Sequence, residues 1–94
     1  MICLNVMLTV RESAQVEHIR CLLSQAGKLS RSEPGCTQFD VCHSKSDPKV
    51  FILCERWESE QALDVHRTGE AYTTIYKPQV LPLVERTAHL CELL

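Results

Sequence analysis

The sequence predicts an α+β fold: one antiparallel sheet with helices packed against it. Three observations predict it. The first ten residues carry period-two apolar patterning, the next segment carries helical spacing, and two later apolar runs are again strand-like. Turn signals separate these runs, the strongest being Glu33-Pro34-Gly35 and Asp47-Pro48. The element order that results is β-α-β-β-α-(α)-β, without an internal repeat, linker or low-complexity segment.

In the first strand Ile2, Leu4, Val6, Leu8 and Val10 alternate with Cys3, Asn5, Met7 and Thr9. Ser13 is placed to cap the following helix, with Glu17 favourable near its positive end. Val16, Ile19, Leu22, Leu23, Ala26 and Leu29 form that helix's apolar stripe, and His18 and Arg20 fall outside it. The helix ends near Ser32, because Glu33 precedes a proline and is driven to extended backbone. Pro34-Gly35 makes a turn, since proline presets the first torsion and glycine accepts positive φ. The second strand covers about Cys36 to His43, with Phe39 and Val41 on one face. A polar turn through Asp47-Pro48 leads to the third strand, Val50 to Glu58. Ser59 caps a helix through Arg67 or Thr68, ended by Gly69. Glu70 to about Lys77 is a short helix with Tyr72, Ile75 and Tyr76 on one side, and Leu83 to Leu94 is the last strand.

That order on one antiparallel sheet is the ferredoxin-like, split β-α-β arrangement, with helices on one face. The third strand is apolar on both faces: Val50, Ile52 and Cys54 point one way, and Phe51, Leu53 and Trp57 the other. An antiparallel strand with one wet face alternates with polar residues, so a second copy of the sheet is expected to cover the other face, giving a homodimer.

Length and charge bound the function. Ninety-four residues make one small domain with an adequate core. A formal charge of −2 and interspersed signs exclude the basic stripe of a nucleic-acid binder. The apolar N-terminus is too short to span a bilayer and lacks a signal-peptide layout, so a cytoplasmic protein without membrane association is expected. The six cysteines fall mostly inside apolar strands or a helix, where free thiols act as small hydrophobes. There is no C-x-x-C pair and no usable metal-ligand spacing, Cys42-His43 being the only adjacent soft pair. A reducing compartment fits this usage. The three glycines are far apart, so no loop cradles phosphate.

His66 is the first candidate for chemistry. It shares a helix face with Ala62 and Leu63, where a histidine is a general acid or base, a ligand, or a satisfied core residue. Trp57, at the end of the third strand, is core or a pocket wall with an indole donor. Asn5 interrupts an apolar strand and must find partners if buried: a neighbouring strand, or a bound oxygen atom. Tyr72 and Tyr76, at i and i+4, pack together or line a pocket with Leu63. Glu55 and Arg56 interrupt the third strand on opposite faces and suit a salt bridge or a partner-chain contact. Asp40 and Arg86 read as exposed strand residues.

Ser30-Arg-Ser-Glu-Pro-Gly-Cys36, Phe39-Asp-Val41, Asp47-Pro48 and Glu55-Arg-Trp-Glu-Ser-Glu-Gln-Ala-Leu-Asp-Val-His-Arg67, in that order and spacing, resemble the antibiotic biosynthesis monooxygenase family. The resemblance covers nearly the whole chain, so residues 1–94 read as one such domain. It implies a ferredoxin-like fold dimerised through its sheets into an α+β barrel, with a small aromatic or quinol-like ligand between sheet and helices. Oxidative members use molecular oxygen without a cofactor. They need a base, donors for a developing oxyanion and a dry apolar pocket. Similar haem-degrading members use a first-strand asparagine, a tryptophan at the end of the third strand and a helix histidine, elements matched here by Asn5, Trp57 and His66. Many relatives carry a second histidine before an aromatic residue, where this chain has Ala71 before Tyr72. The expectation is therefore a cofactor-independent monooxygenase of a quinol or polycyclic phenol. His66 is its base or a substrate hydrogen bond, Asn5 its oxyanion donor, Trp57 and Tyr72 its pocket wall, and Tyr76 and Leu63 contact the substrate. The alternatives are an isomerase of a small polar metabolite, favoured by arginines at positions 56, 67 or 86 around the pocket, and a non-enzymatic barrel that binds a small ligand or haem.

Overall fold

A computed structural model describes residues 1–94. The elements are β1 (Ile2–Val10), α1 (Val16–Arg31), β2 (Cys36–His43), β3 (Val50–Trp57), α2 (Glu60–His66), α3 (Ala71–Val80) and β4 (Val84–Cys91). The strands form one sheet in the order β2-β3-β1-β4, every pair antiparallel. This is the ferredoxin-like α+β arrangement expected from the patterning. The helices cover one face, and Leu4, Val6, Leu8 and Val10 of β1 bury against them with Phe51, Leu53 and Trp57 of β3.

Local chemistry explains most element ends. Gly35 has φ +81°, and a Cβ there would meet the Ala62 Cβ at 2.5 Å, so the turn after Pro34 requires glycine twice over. Cys36 N donates to Glu33 O at 3.1 Å, closing that turn. Ser59 caps α2 as expected, its hydroxyl accepting from Ala62 N at 3.1 Å. Ser13 does not cap α1. Residues Ser13–Gln15 instead form a tight 3-10 turn leading into the helix, with no side-chain bond at either start.

The stripe on α1 also differs from the sequence reading at one end. Leu29 is 37% exposed and Ser30 fully buried. The inward side chains are Ile19, Leu22, Leu23, Ala26 and Ser30, which keep helical spacing, and Leu29 lies one position off them.

Two elements depart from regular geometry. β2 is bulged between Cys36 and Gln38, where Thr37 has no partner in the ladder. The Thr37 hydroxyl bonds Arg56 O at 3.1 Å instead. The extra residue lets both Cys36 and Phe39 pack against the core. α3 is longer than the expected helix and wound wide, Leu81 N bonding Tyr76 O five residues back. Pro78 explains the widening. It has no N–H to donate and its ring crowds the Thr74 carbonyl, which accepts from Gln79 Nε2 at 2.9 Å.

The other sheet face carries no helix. Val50, Ile52, Cys54 and Arg56 of β3 are only half-buried there, and Met7 of β1 is 48% exposed. No helix is long and apolar enough to cross a membrane.

Candidate functional site

A cleft lies between the helices and the covered face of the sheet. Leu4, Leu53 and Glu55 form its floor, Ala26 and Ser30 one wall, and Leu63, His66, Ala71, Tyr72 and Tyr76 the opposite wall. Arg67 and Arg86 also line it. It measures about 450 Å³ counted to its open mouth, but only about 20 Å³ admits a water-sized sphere, room for about one water. A ring-sized ligand enters only if a wall moves. Tyr72 is the aromatic best placed to move: it is half-buried, whereas Phe39, His66 and Tyr76 are buried.

Ser59 starts α2 and the spacing of the helix turns His66 inward, leaving the residue 7% exposed. Its Nδ1 lies 2.6 Å from Glu33 Oε1. In the neutral ring Nδ1–H donates to that carboxylate, which leaves the Nε2 lone pair free as a base. Glu33 reaches this place because the Pro34-Gly35 turn fixes the chain beside α2. Gly69 makes room for it: a Cβ at Gly69 would stand 2.7 Å from Glu33 Oε2. The imidazole is further boxed by Trp57 at 4.5 Å between ring centroids, and by Phe39 and Tyr72 at 5.8 Å each.

Glu55 is the second buried acid, 4% exposed. Its Oε1 accepts from the Trp57 indole N–H at 3.1 Å. Burial pushes its pKa up, against smaller opposing effects of the Trp57 bond and of His66, Arg86 and Arg67. Tyr76 is similarly raised by burial, which keeps its hydroxyl neutral. That hydroxyl accepts from Arg86 Nε at 3.0 Å. Ser30 Oγ is buried without a hydrogen-bond partner, an uncommon condition for a hydroxyl in a packed interior.

The structure brings together His66, Leu63, Tyr72 and Tyr76 as cleft-lining residues. Trp57 is fully buried behind the lining, holding Glu55 and the imidazole, so it supports the wall and does not form its surface. Asn5 is not with them. Period-two geometry puts it on the helix-free face with Cys3 and Met7, exposed, its amide donating to Cys91 Sγ at 3.5 Å. An oxyanion donor from Asn5 therefore does not reach this cleft within one protomer. Ala71 also lines the cleft.

Glu33, Ser30 and Glu55 were not among the site residues expected from sequence. Glu33 and His66 are 33 positions apart and no local spacing joins them. Glu55 did carry a signal: it has the parity of Phe51, Leu53 and Trp57, and so faces inward with them. Arg86 is an exposed strand residue as read, yet it also reaches Tyr76 and the cleft. No three His, Cys, Asp or Glu side chains converge to hold a metal ion.

Known proteins share this fold and sequence pattern. The sequence model of the antibiotic biosynthesis monooxygenase family matches residues 1–78. A Mycobacterium tuberculosis protein provisionally named a monooxygenase is 37% identical over 68 residues. That segment is 72% of this chain and 65% of the relative, just under two thirds of its length. The solved structure of a Mycobacterium tuberculosis protein is 27% identical with a TM-score of 0.80, over 95% of this chain and 93% of that one. The crystal structure of an antibiotic biosynthesis monooxygenase superposes over 100% of this chain and 99% of its own, with a TM-score of 0.92 at 22% identity. A Nitrosomonas europaea protein provisionally assigned to the same group gives 0.92 at 23% identity, over the same shares. These last two likenesses speak to the fold, whereas the match over residues 1–78 speaks to the sequence itself: the chain belongs to the antibiotic biosynthesis monooxygenase family.

Proposed function

We propose that the protein is a cofactor-independent monooxygenase that oxidises a quinol or polycyclic phenol-type molecule with dioxygen in the cleft beside His66. The observation that carries this reading is the Glu33–His66 pair, 2.6 Å apart, with the imidazole set in an apolar wall. A base oriented by a carboxylate removes the phenolic or activated C–H proton. The resulting anion is electron-rich enough to reduce dioxygen, and the aromatic enclosure limits side reactions with water. For a substrate methylene the balance is CH2 + O2 → C=O + H2O, so one oxygen atom enters the product and the other leaves as water. Leu63, Tyr72 and Tyr76 contact the ring in this reading, and Trp57 holds the imidazole from behind.

A second copy of the chain packs on the helix-free face, giving a dimeric barrel. The half-buried apolar residues of β3 and the exposed Met7 support that arrangement. The whole chain acts as one domain.

A second reading is an isomerase of a small anionic ketone. Arg67 and Arg86 in the cleft lining favour it, since both can hold a negative substituent. Oxygen uptake by metal-stripped protein across quinols, naphthols and anthrones separates the two. Uptake above a heat-denatured control that is lost in His66→Ala supports the monooxygenase. Absence of uptake with every substrate overturns it and leaves the isomerase.

A further inference from the structure

The cleft holds two buried polar groups that a base alone does not use. Glu55 rises from its floor and Ser30 from a wall, on different elements, and both face the space beside His66. Glu55 is tethered at one oxygen only, by the Trp57 indole. Ser30 Oγ has no partner at all although it is fully buried. A buried hydroxyl without a partner is costly, and a bound oxygen atom brought within its reach would satisfy it.

We propose that Glu55 is the catalytic proton donor of this cleft, giving its carboxyl proton to a substrate carbonyl oxygen, with Ser30 donating a second hydrogen bond to that oxygen. His66 Nε2 takes the proton from the activated carbon conjugated with that carbonyl, which in anthrone is the methylene across the central ring. The C–H electron pair enters the conjugated ring, a C=C bond forms at the carbonyl carbon, and the carbonyl π pair moves to oxygen and binds the proton from Glu55. The step is a redox-neutral enolisation: His66 gains one proton, Glu55 loses one, and both re-equilibrate with water. This rests on the reading of His66 as a base, but it requires no oxygen.

The surroundings of Glu55 act on its proton in both directions. Burial raises its pKa, while the Trp57 indole and the charges of His66, Arg86 and Arg67 oppose that rise and limit it. The other titratable neighbours that sense it are Tyr76 on α3 and Cys36 on β2.

Anthrone in anaerobic D2O is the probe, with deuterium entry at its methylene followed by proton NMR against heat-denatured protein. The expected result is exchange by wild type that falls about 100-fold in Glu55→Gln. Oxygen uptake with a naphthalene quinol, which is already in its enol form, is expected to fall far less in the same variant. The wild-type exchange rate declines as pH rises through the pKa of Glu55, and Glu55→Gln lacks that limb. Glu55→Asp keeps the carboxyl group and the limb, and separates the acid role from a packing role. Ser30→Ala is expected to slow exchange less than Glu55→Gln does. Wild-type exchange matched by Glu55→Gln overturns the proton donor and leaves the His66 reading standing. No exchange above background in wild type overturns both.

Discussion

The two faces of the sheet differ in how their polar groups are placed. On the helix-covered face a continuous apolar core surrounds a few buried polar side chains. His66 is paired to Glu33, Glu55 to Trp57 and Tyr76 to Arg86, each over 2.6–3.1 Å. On the other face apolar and polar side chains are mixed and half-exposed, and Asn5 bonds only a thiol at 3.5 Å. Burial with pairing is costly to arrange and shifts proton affinities. Exposure with weak pairing does neither. In the proposed reading chemistry belongs to the covered face and association to the open one.

The largest expected effect breaks the covered face at its base. His66→Ala is expected to lower oxygen uptake by about 10²–10⁴, measured with an oxygen electrode, while Asn5→Ala on the open face leaves it unchanged. Equal losses in the two variants would erase the distinction between faces. Gly69→Ala sharpens the point. The added Cβ displaces the Glu33 carboxylate, which it would meet at 2.7 Å, so uptake should fall between wild type and His66→Ala with little change in the far-UV circular dichroism.

Next in size is stability. Trp57→Ala removes a fully buried indole and is expected to cost about 3–5 kcal/mol in chemical denaturation. An exposed change such as Met7→Ser, read in the monomer, stays within about 0.5 kcal/mol. The open face is broken differently. Ile52→Lys puts a charge where a second copy is proposed to pack, and sedimentation velocity should show half the wild-type mass with an unchanged fold. A wild-type protein that sediments as a monomer at micromolar concentration would remove the association role.

The smallest effect is a pH slope. The folded protein binds the Glu55 proton more tightly than the unfolded chain, because its pKa is raised. The contribution of this group to stability is therefore fully present below the ordinary carboxylate range. It falls as pH rises from there through the raised pKa, and is constant above it as far as this group is concerned. Glu55→Gln should flatten that slope, so its melting temperature gains on wild type between acid and neutral pH.

The fold was legible because its signals are local. Alternation in β1, the apolar run of β3, the Pro34-Gly35 turn and the Ser59 cap each act within a few residues, and each appears in the structure. The Thr37 bulge and the wide winding at Pro78 were not legible, since the ladder partner and the surrounding packing decide them. The site was half legible. Helix spacing turned His66, Leu63, Tyr72 and Tyr76 toward one cleft. Strict parity in β1 already separated Asn5 from the inward residues, and the resemblance to haem-degrading relatives pulled it toward them. Glu33 lay beyond any spacing rule, because only the tertiary fold carries the Pro-Gly turn to the end of α2.

The central claim is that Glu33 holds His66 with Nδ1 protonated and Nε2 free toward the cleft. Nitrogen-15 NMR of the imidazole, labelled at both ring nitrogens and followed across pH, tests it directly. The account predicts a neutral ring with a pyrrole-like Nδ1 and a pyridine-like Nε2, a preference that weakens in Glu33→Gln. A neutral ring protonated at Nε2 would leave no base in the cleft and contradict it.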